Sequence, residues 1–135
     1  MQLPYRSKAI RASAVLTGSY VEATVLEPLG VSPEADPQNH NKLVLYLDFT
    51  IGSLTDARVK IEFSDDGSTY HQETNASSPS SGVTTLEVNE YKMTATGKYT
   101  LVVDIASRYI KVSAKGTGTV TSSLLAINSA LAVRP

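Results

Sequence analysis

Two histidines, His40 and His71, and thirteen carboxylates are what this chain offers for metal binding or proton transfer, since it has no cysteine. A resident transition metal needs converging donors, which a sequence announces as HxH, HExxH or a histidine–carboxylate cluster. No such spacing occurs, so both histidines read as solvated surface groups. Asp65-Asp66-Gly67-Ser68 has the composition of a calcium loop without EF-hand spacing, and acidic residues beside glycine are also what a hairpin turn selects. Nucleophilic hydrolysis would need a strained GxSxG turn or a Ser-His-Asp set. Serines are plentiful, GxSxG is missing, and Asp36 near His40 has no nucleophile in register. Asp48, Glu62 and Asp104 could supply the carboxylate pair of a glycosidase. All three fall on the outward parity of strand-like runs, and Glu62 alternates with Arg58 and Lys60, as cross-strand charge pairing would have it. Gly116-Thr117-Gly118-Thr119 leads into a strand rather than a helix, unlike a P-loop or a dinucleotide fingerprint. No catalytic, cofactor-binding or metal site is predicted, and the expectation is a protein that is not an enzyme.

Aromatic side chains are the remaining chemical resource. Sugar-binding β-sandwich modules stack the apolar face of a sugar ring on exposed Trp or Tyr. There is no Trp here. Tyr46, Tyr70, Tyr91 and Tyr109 are candidates for outward positions, and Tyr109 with Arg108 and Lys111 would form a surface patch, although strands favour tyrosine regardless. Asn75-Ala76-Ser77 matches the glycosylation triplet but reads as a chance match in a loop.

The elements that would position these residues are strands. In residues 56–74, Val59, Ile61 and Phe63 alternate with Arg58, Lys60 and Glu62, which places apolar and charged side chains on opposite faces of a pleat. The Asp66-Gly67 step then supplies the positive φ of a tight hairpin turn, and a polar strand bearing Tyr70 follows. The same pattern predicts a strand at 8–16 with Ile10, Ala12, Ala14 and Leu16 inward, and one at 20–26 with Val21, Ala23 and Val25 inward. The strongest strand is 42–51, with Leu43, Leu45, Leu47, Phe49 and Ile51 on one face. Shorter pieces lie at 83–88 and 90–94. Tyr99, Leu101, Val103 and Ile105 point inward from 97–105, and Ile110, Val112 and Ala114 from 108–115. Residues 121–133 are apolar on both parities, with leucine and alanine content that also suits a helix. A leading Thr-Val-Thr and the Asn128-Ser129 interruption favour strand. Many short strands with regular turn signals predict an all-β fold, a single antiparallel β-sandwich of jelly-roll type spanning 1–135. Residues 1–7 form an expected N-terminal arm, and 28–41 and 74–82 are expected long loops. No repeat or domain linker is evident.

The totals narrow the function classes. At 135 residues, 41% hydrophobic and 19% charged, the chain can bury a core without disulfides. Twelve basic against thirteen acidic residues leave no basic excess, which argues against nucleic acid as a partner. The opening MQLPYRSKAIRAS has no apolar h-region, and no apolar run is long enough to span a bilayer. The expectation is a soluble protein made in the cytoplasm, without membrane as a partner. A terminal strand apolar on both faces offers more hydrophobic surface than one core absorbs, so it is either an oligomer interface or buried internally. The arm carrying Leu3, Pro4 and Tyr5 has the same two options.

IEFSDDGSTYHQET at 61–74, followed by TGKYTLVVDIASRYIKVSAKGTGTVTSSLLAINSAL at 96–131, resembles small β-sandwich structural proteins of tailed bacteriophages. The resemblance covers roughly 43–133, and its more specific part is Arg108-Tyr109-Ile110-Lys111-Val112 with Lys115-Gly116-Thr117-Gly118-Thr119. The hairpin alone is also similar to discoidin-like galactose-binding jelly rolls, from which this chain departs in having Tyr70 where Trp is common. The resemblance implies a virion location and a non-enzymatic role as a capsid decoration (cement) or related accessory protein. Its partners would be the major capsid protein or other virion proteins, with self-association as a homo-oligomer, a trimer first. A carbohydrate-binding module taking a glycan is the alternative. The resemblance carries over no binding residue.

Overall fold

A computed structural model describes residues 7–27, 41–78 and 81–132. The expected arm at 1–7 lies outside them except for Ser7, and the expected loop at 28–41 except for Asn41. Asp36 and His40 fall outside as well.

Among the described residues eleven strands follow in order: β1 (Ser7–Ala14), β2 (Val21–Glu22), β3 (Lys42–Thr50), β4 (Leu54–Ser64), β5 (His71–Gln72), β6 (Thr74–Ser77), β7 (Thr85–Val88), β8 (Tyr91–Met93), β9 (Gly97–Asp104), β10 (Tyr109–Gly118) and β11 (Leu124–Ala132). One sheet has the order β1-β11-β3-β9 and the other β2-β10-β4-β5, with β8 also paired to β4. All of these pairs are antiparallel. The pairing is nested: β1 with β11, β2 with β10, β3 with β9, and β4 with β5 and β8. The pairs β11–β3 and β10–β4 then join the nested hairpins into two sheets. This is a jelly-roll β-sandwich.

Alternation builds the core. Leu43, Leu45, Leu47 and Phe49 of β3 and Leu125, Ile127 and Leu131 of β11 face Ala57, Val59 and Ile61 of β4 and Ile110, Val112 and Ala114 of β10. β4 and β10 stay in register from Tyr109↔Ser64 to Thr117↔Asp56, so one strand's outward charges lie beside those of the other. Residues 124–132 form a strand, and they sit between β1 and β3 rather than at an edge. Ser129 faces inward within it, its hydroxyl donating to the Lys8 carbonyl at 3.0 Å.

Four local expectations are corrected. β1 buries only Ile10, with Leu16 beyond its end, while Ala12 and Ala14 are exposed. Its register with β11 shifts on either side of Arg11, and such bulges break the two-residue period. The Arg11 guanidinium bonds the carbonyls of Leu125, Ala14 and Val15 there. The strand expected at 20–26 shrinks to Val21–Glu22, and Val21 is exposed. Leu26 enters the core instead, through a bridge to Ile110. The Asp-Gly turn is a wider loop, because the last facing pair is Phe63↔His71. Finally, the loop expected at 74–82 begins as strand β6, paired with β7 from Thr74↔Val88 to Ser77↔Thr85. A small polar strand with no buried side carries no apolar period for a reader to find.

Candidate functional site

The wide loop between β4 and β5 is held by one carboxylate. Asp66 Oδ1 accepts from the amides of Ser68 at 2.8 Å and Thr69 at 2.9 Å and from the Ser64 hydroxyl at 3.0 Å. These bonds, the Thr69 amide foremost, hold its carboxyl below the ordinary carboxylate value. Gly67 turns at φ 76°, and a Cβ there would meet the Tyr109 ring at 3.2 Å. The loop borders a hollow of about 420 Å³ lined by Phe63, Ser64, Asp65, Asp66, Thr69, His71 and Ser107. The fold thus brings His71 beside Asp65 and Asp66. Among the described residues no group of three or more His, Cys, Asp or Glu could hold a metal. The Ser64 proton is committed to Asp66 and the Asp66 carboxylate to its own loop, so the constellation is a turn-stabilising one.

Outward side chains of the β2-β10-β4-β5 sheet form a lattice of mutually satisfied charges. Lys60 and Lys115 flank the Tyr20 ring at 4.7 and 4.9 Å from its centroid, and the Tyr20 hydroxyl donates to Glu90. Arg58 joins Glu90 at 3.5 Å to Asp56 at 3.3 Å. Burial opposes ionisation of Asp56, yet hydrogen bonds from Arg58 and Thr117 outweigh it and hold the carboxyl below its ordinary value. Burial, then the bond to Glu90, pushes the Tyr20 phenol up. Lys111 lies 3.9 Å from the Tyr70 ring centroid and 3.1 Å from Glu22, whose hydrogen bond pushes the ammonium up. Glu62 pairs with Lys60 at 3.6 Å. The expected patch of Tyr109, Arg108 and Lys111 divides: Arg108 sits 5.2 Å from Tyr109 and pairs with Glu27 at 3.0 Å, while Lys111 belongs to Tyr70. Tyr91 bonds Glu73 at 2.7 Å beside Asn89. Tyr20 was missed from the sequence, because its partner Glu90 is distant along the chain and the two meet only through the successive pairings β2–β10, β10–β4 and β4–β8.

The outer face of the other sheet carries different chemistry. Tyr46 is 49% exposed and stands between two hollows of about 360 and 240 Å³, with Asn128 lining both. Val102 and Leu124 are exposed nearby, whereas Val44 and Ala130 on the same parity are buried. Asp48 and Asp104 lie on this face, ion-paired with Lys98 (2.9 Å) and Lys42. Glu62 is on the opposite face of the sandwich, so these carboxylates do not converge into a catalytic pair.

The third surface is the β6–β7 ribbon. All eight of its strand residues are exposed. The register puts Thr74, Ala76, Leu86 and Val88 on one side and Asn75, Ser77, Thr85 and Glu87 on the other, an amphipathic ribbon whose apolar side is bare. Leu86 is 72% exposed and Val88 65%. Asn75-Ala76-Ser77, read from sequence as loop, is therefore strand. The alternation of Leu86, Glu87 and Val88 belongs to the strand expected at 83–88, which the structure holds as β7.

Among solved structures, that of PBSX exported protein XepA superposes with a TM-score of 0.63, over 96% of this chain, at 11% identity. The likeness is one of fold. This chain spans 38% of that protein's length. No protein-family model matches the chain, and no curated protein matches it.

Proposed function

We propose that this chain is a non-enzymatic structural subunit of a tailed-phage virion, a capsid decoration protein that stabilises an assembled shell through protein–protein contacts. The observation that carries the reading is the β6–β7 ribbon. A two-stranded ribbon is marginal alone in water, and this one holds Leu86 and Val88 out to solvent at 72% and 65% exposure. Such a surface is suited to burial on a partner. The virion class rests on the resemblance of residues 61–74 and 96–131 to phage structural proteins, and the fold shared with PBSX exported protein XepA is compatible with it. A subunit that contacts only the assembled shell stabilises that state by mass action.

The ribbon can be removed cleanly. The Asn89 amide donates to the Glu73 carbonyl at 2.8 Å, and Thr74 faces Val88, so replacing residues 75–87 with Asn-Gly closes the strands by a two-residue turn. The shortened protein is expected to keep the melting temperature of the parent and to stop co-sedimenting with capsids. A parent that itself fails to co-sediment would sink the reading.

A second reading has one observation behind it. Tyr46 between its two hollows, with Asn128 and Thr100 adjacent, offers a stacking face and hydroxyl partners for a sugar. Calorimetry with simple sugars, and loss of the heat in Tyr46→Ala, would support a carbohydrate-binding module.

A further inference from the structure

The outer face of the β1-β11-β3-β9 sheet has a symmetry in its charges. Across β3 and β9 the outward pairs run Lys42↔Asp104, Val44↔Val102, Tyr46↔Thr100 and Asp48↔Lys98. Both end pairs are ion pairs, and the cation is on β3 at one end and on β9 at the other. Apolar and aromatic surface lies between and beside them, with Val102, Tyr46 and Leu124 at 52%, 49% and 42% exposure.

We propose that this face pairs with the same face of a second copy, about a two-fold axis that runs parallel to the sheet, midway between the two faces, and crosses the strands at the level of Leu45. Rotation about that axis sets Lys42 against the partner's Asp48 and Asp104 against the partner's Lys98, so both charged ends of the patch meet their opposites. All four strands of each sheet stack on one another, as an isologous contact requires. Tyr46, near the axis, projects between hollows that the partner presents in turn. Strand rise and spacing give the face dimensions of about 30 by 15–20 Å, of the order of one side of a standard interface, about 800 Å². An axis along the strands also opposes unlike charges, but it overlaps only the β3–β9 half of the face. The pairing depends on this sheet face and not on the virion reading, and it replaces the trimer expected from sequence with a dimer.

Charge swaps test the arrangement. Asp48→Lys with Lys98→Asp keeps the ion pair within each subunit and the net charge, yet it opposes like charges across the proposed axis. Adding Lys42→Asp with Asp104→Lys restores opposition of unlike charges. Sedimentation equilibrium of the full chain at low salt is expected to show a dimer for the parent. The double swap should weaken it by about tenfold or more and the quadruple swap should restore it. Val102→Glu, which puts a charge in the exposed centre, should abolish the dimer while the far-ultraviolet spectrum stays unchanged. A monomeric parent overturns the proposal. So does a dimer indifferent to the double swap, which would place the axis along the strands, and so does a quadruple swap that fails to rescue.

Discussion

At the scale of single residues, the stability of this sandwich depends on a few polar groups whose bonds are visible by geometry. Asp66 caps its own loop three times, so its carboxyl stays ionised further into acid than in the unfolded chain. A depressed carboxylate contributes stability above the unfolded value of about 3.9 and loses it as pH falls through the folded value. Asp66→Asn is therefore expected to flatten the acid limb of a plot of denaturation midpoint against pH. Gly67→Ala forces a side chain into a left-handed φ against the Tyr109 ring and should destabilise by roughly 1–2 kcal/mol in urea titration. Tyr91 works in the opposite direction. Burial, then the bond to Glu73, raises its phenol to about 12. A raised acid contributes in full below the unfolded value of about 10 and is lost as pH climbs through the folded one. Tyr91→Phe should remove that alkaline loss between about 10 and 12, leaving Tyr20, also raised, to act at the upper end. An unchanged alkaline limb in Tyr91→Phe would contradict this account.

Elements show why some of this was legible and some was not. β3 and β4 are buried on one face along their whole length, so Leu43 to Phe49 and Val59 to Phe63 print their period directly into the sequence. β11 is also a strand buried on one face, but its outward parity holds Leu124, Ala126 and Ala130, and alternation alone did not say which parity was the core. The structure does: Leu125 and Ile127 are fully buried and Leu124 is 42% exposed. Ile127→Ala should accordingly lose about 2–5 kcal/mol through its cavity, whereas Leu124→Ala stays within about 0.5 kcal/mol, both read from denaturant midpoints. β1 was misread because bulges around Arg11 interrupt the period, and β6 because neither side of the ribbon it forms with β7 faces the core. The candidate surfaces were the least legible part. Tyr20 with Glu90, or the four charges of β3 and β9, become neighbours only through strand pairing, which no local pattern records. The outward parity of Asp48 and Asp104 was readable; their symmetry with Lys98 and Lys42 was not.

For the whole molecule, nesting sets the order in which the chain can close. β4 and β5 meet across a short loop, whereas Ser129 meets Lys8 from 121 positions away, and every nested pair between them closes a larger loop than the last. Loop-closure entropy has to be overcome before a distant pairing can contribute, so the inner hairpin around Asp66 should form early and β1 should dock on β11 late. Refolding is then expected in roughly the millisecond-to-second range typical of sandwiches dominated by non-local pairing. The mutational signature is specific. Ile61→Ala in β4 and Ile10→Ala in β1 each remove a buried isoleucine and should lose about 2–5 kcal/mol. Ile61→Ala should slow folding, and Ile10→Ala should act almost wholly by speeding unfolding, because its contacts are absent at the transition state. Stopped-flow chevrons of the two variants decide it. Equal partition of the loss between the two limbs in both would mean that the termini pair before the barrier, and the inside-out order would have to be abandoned.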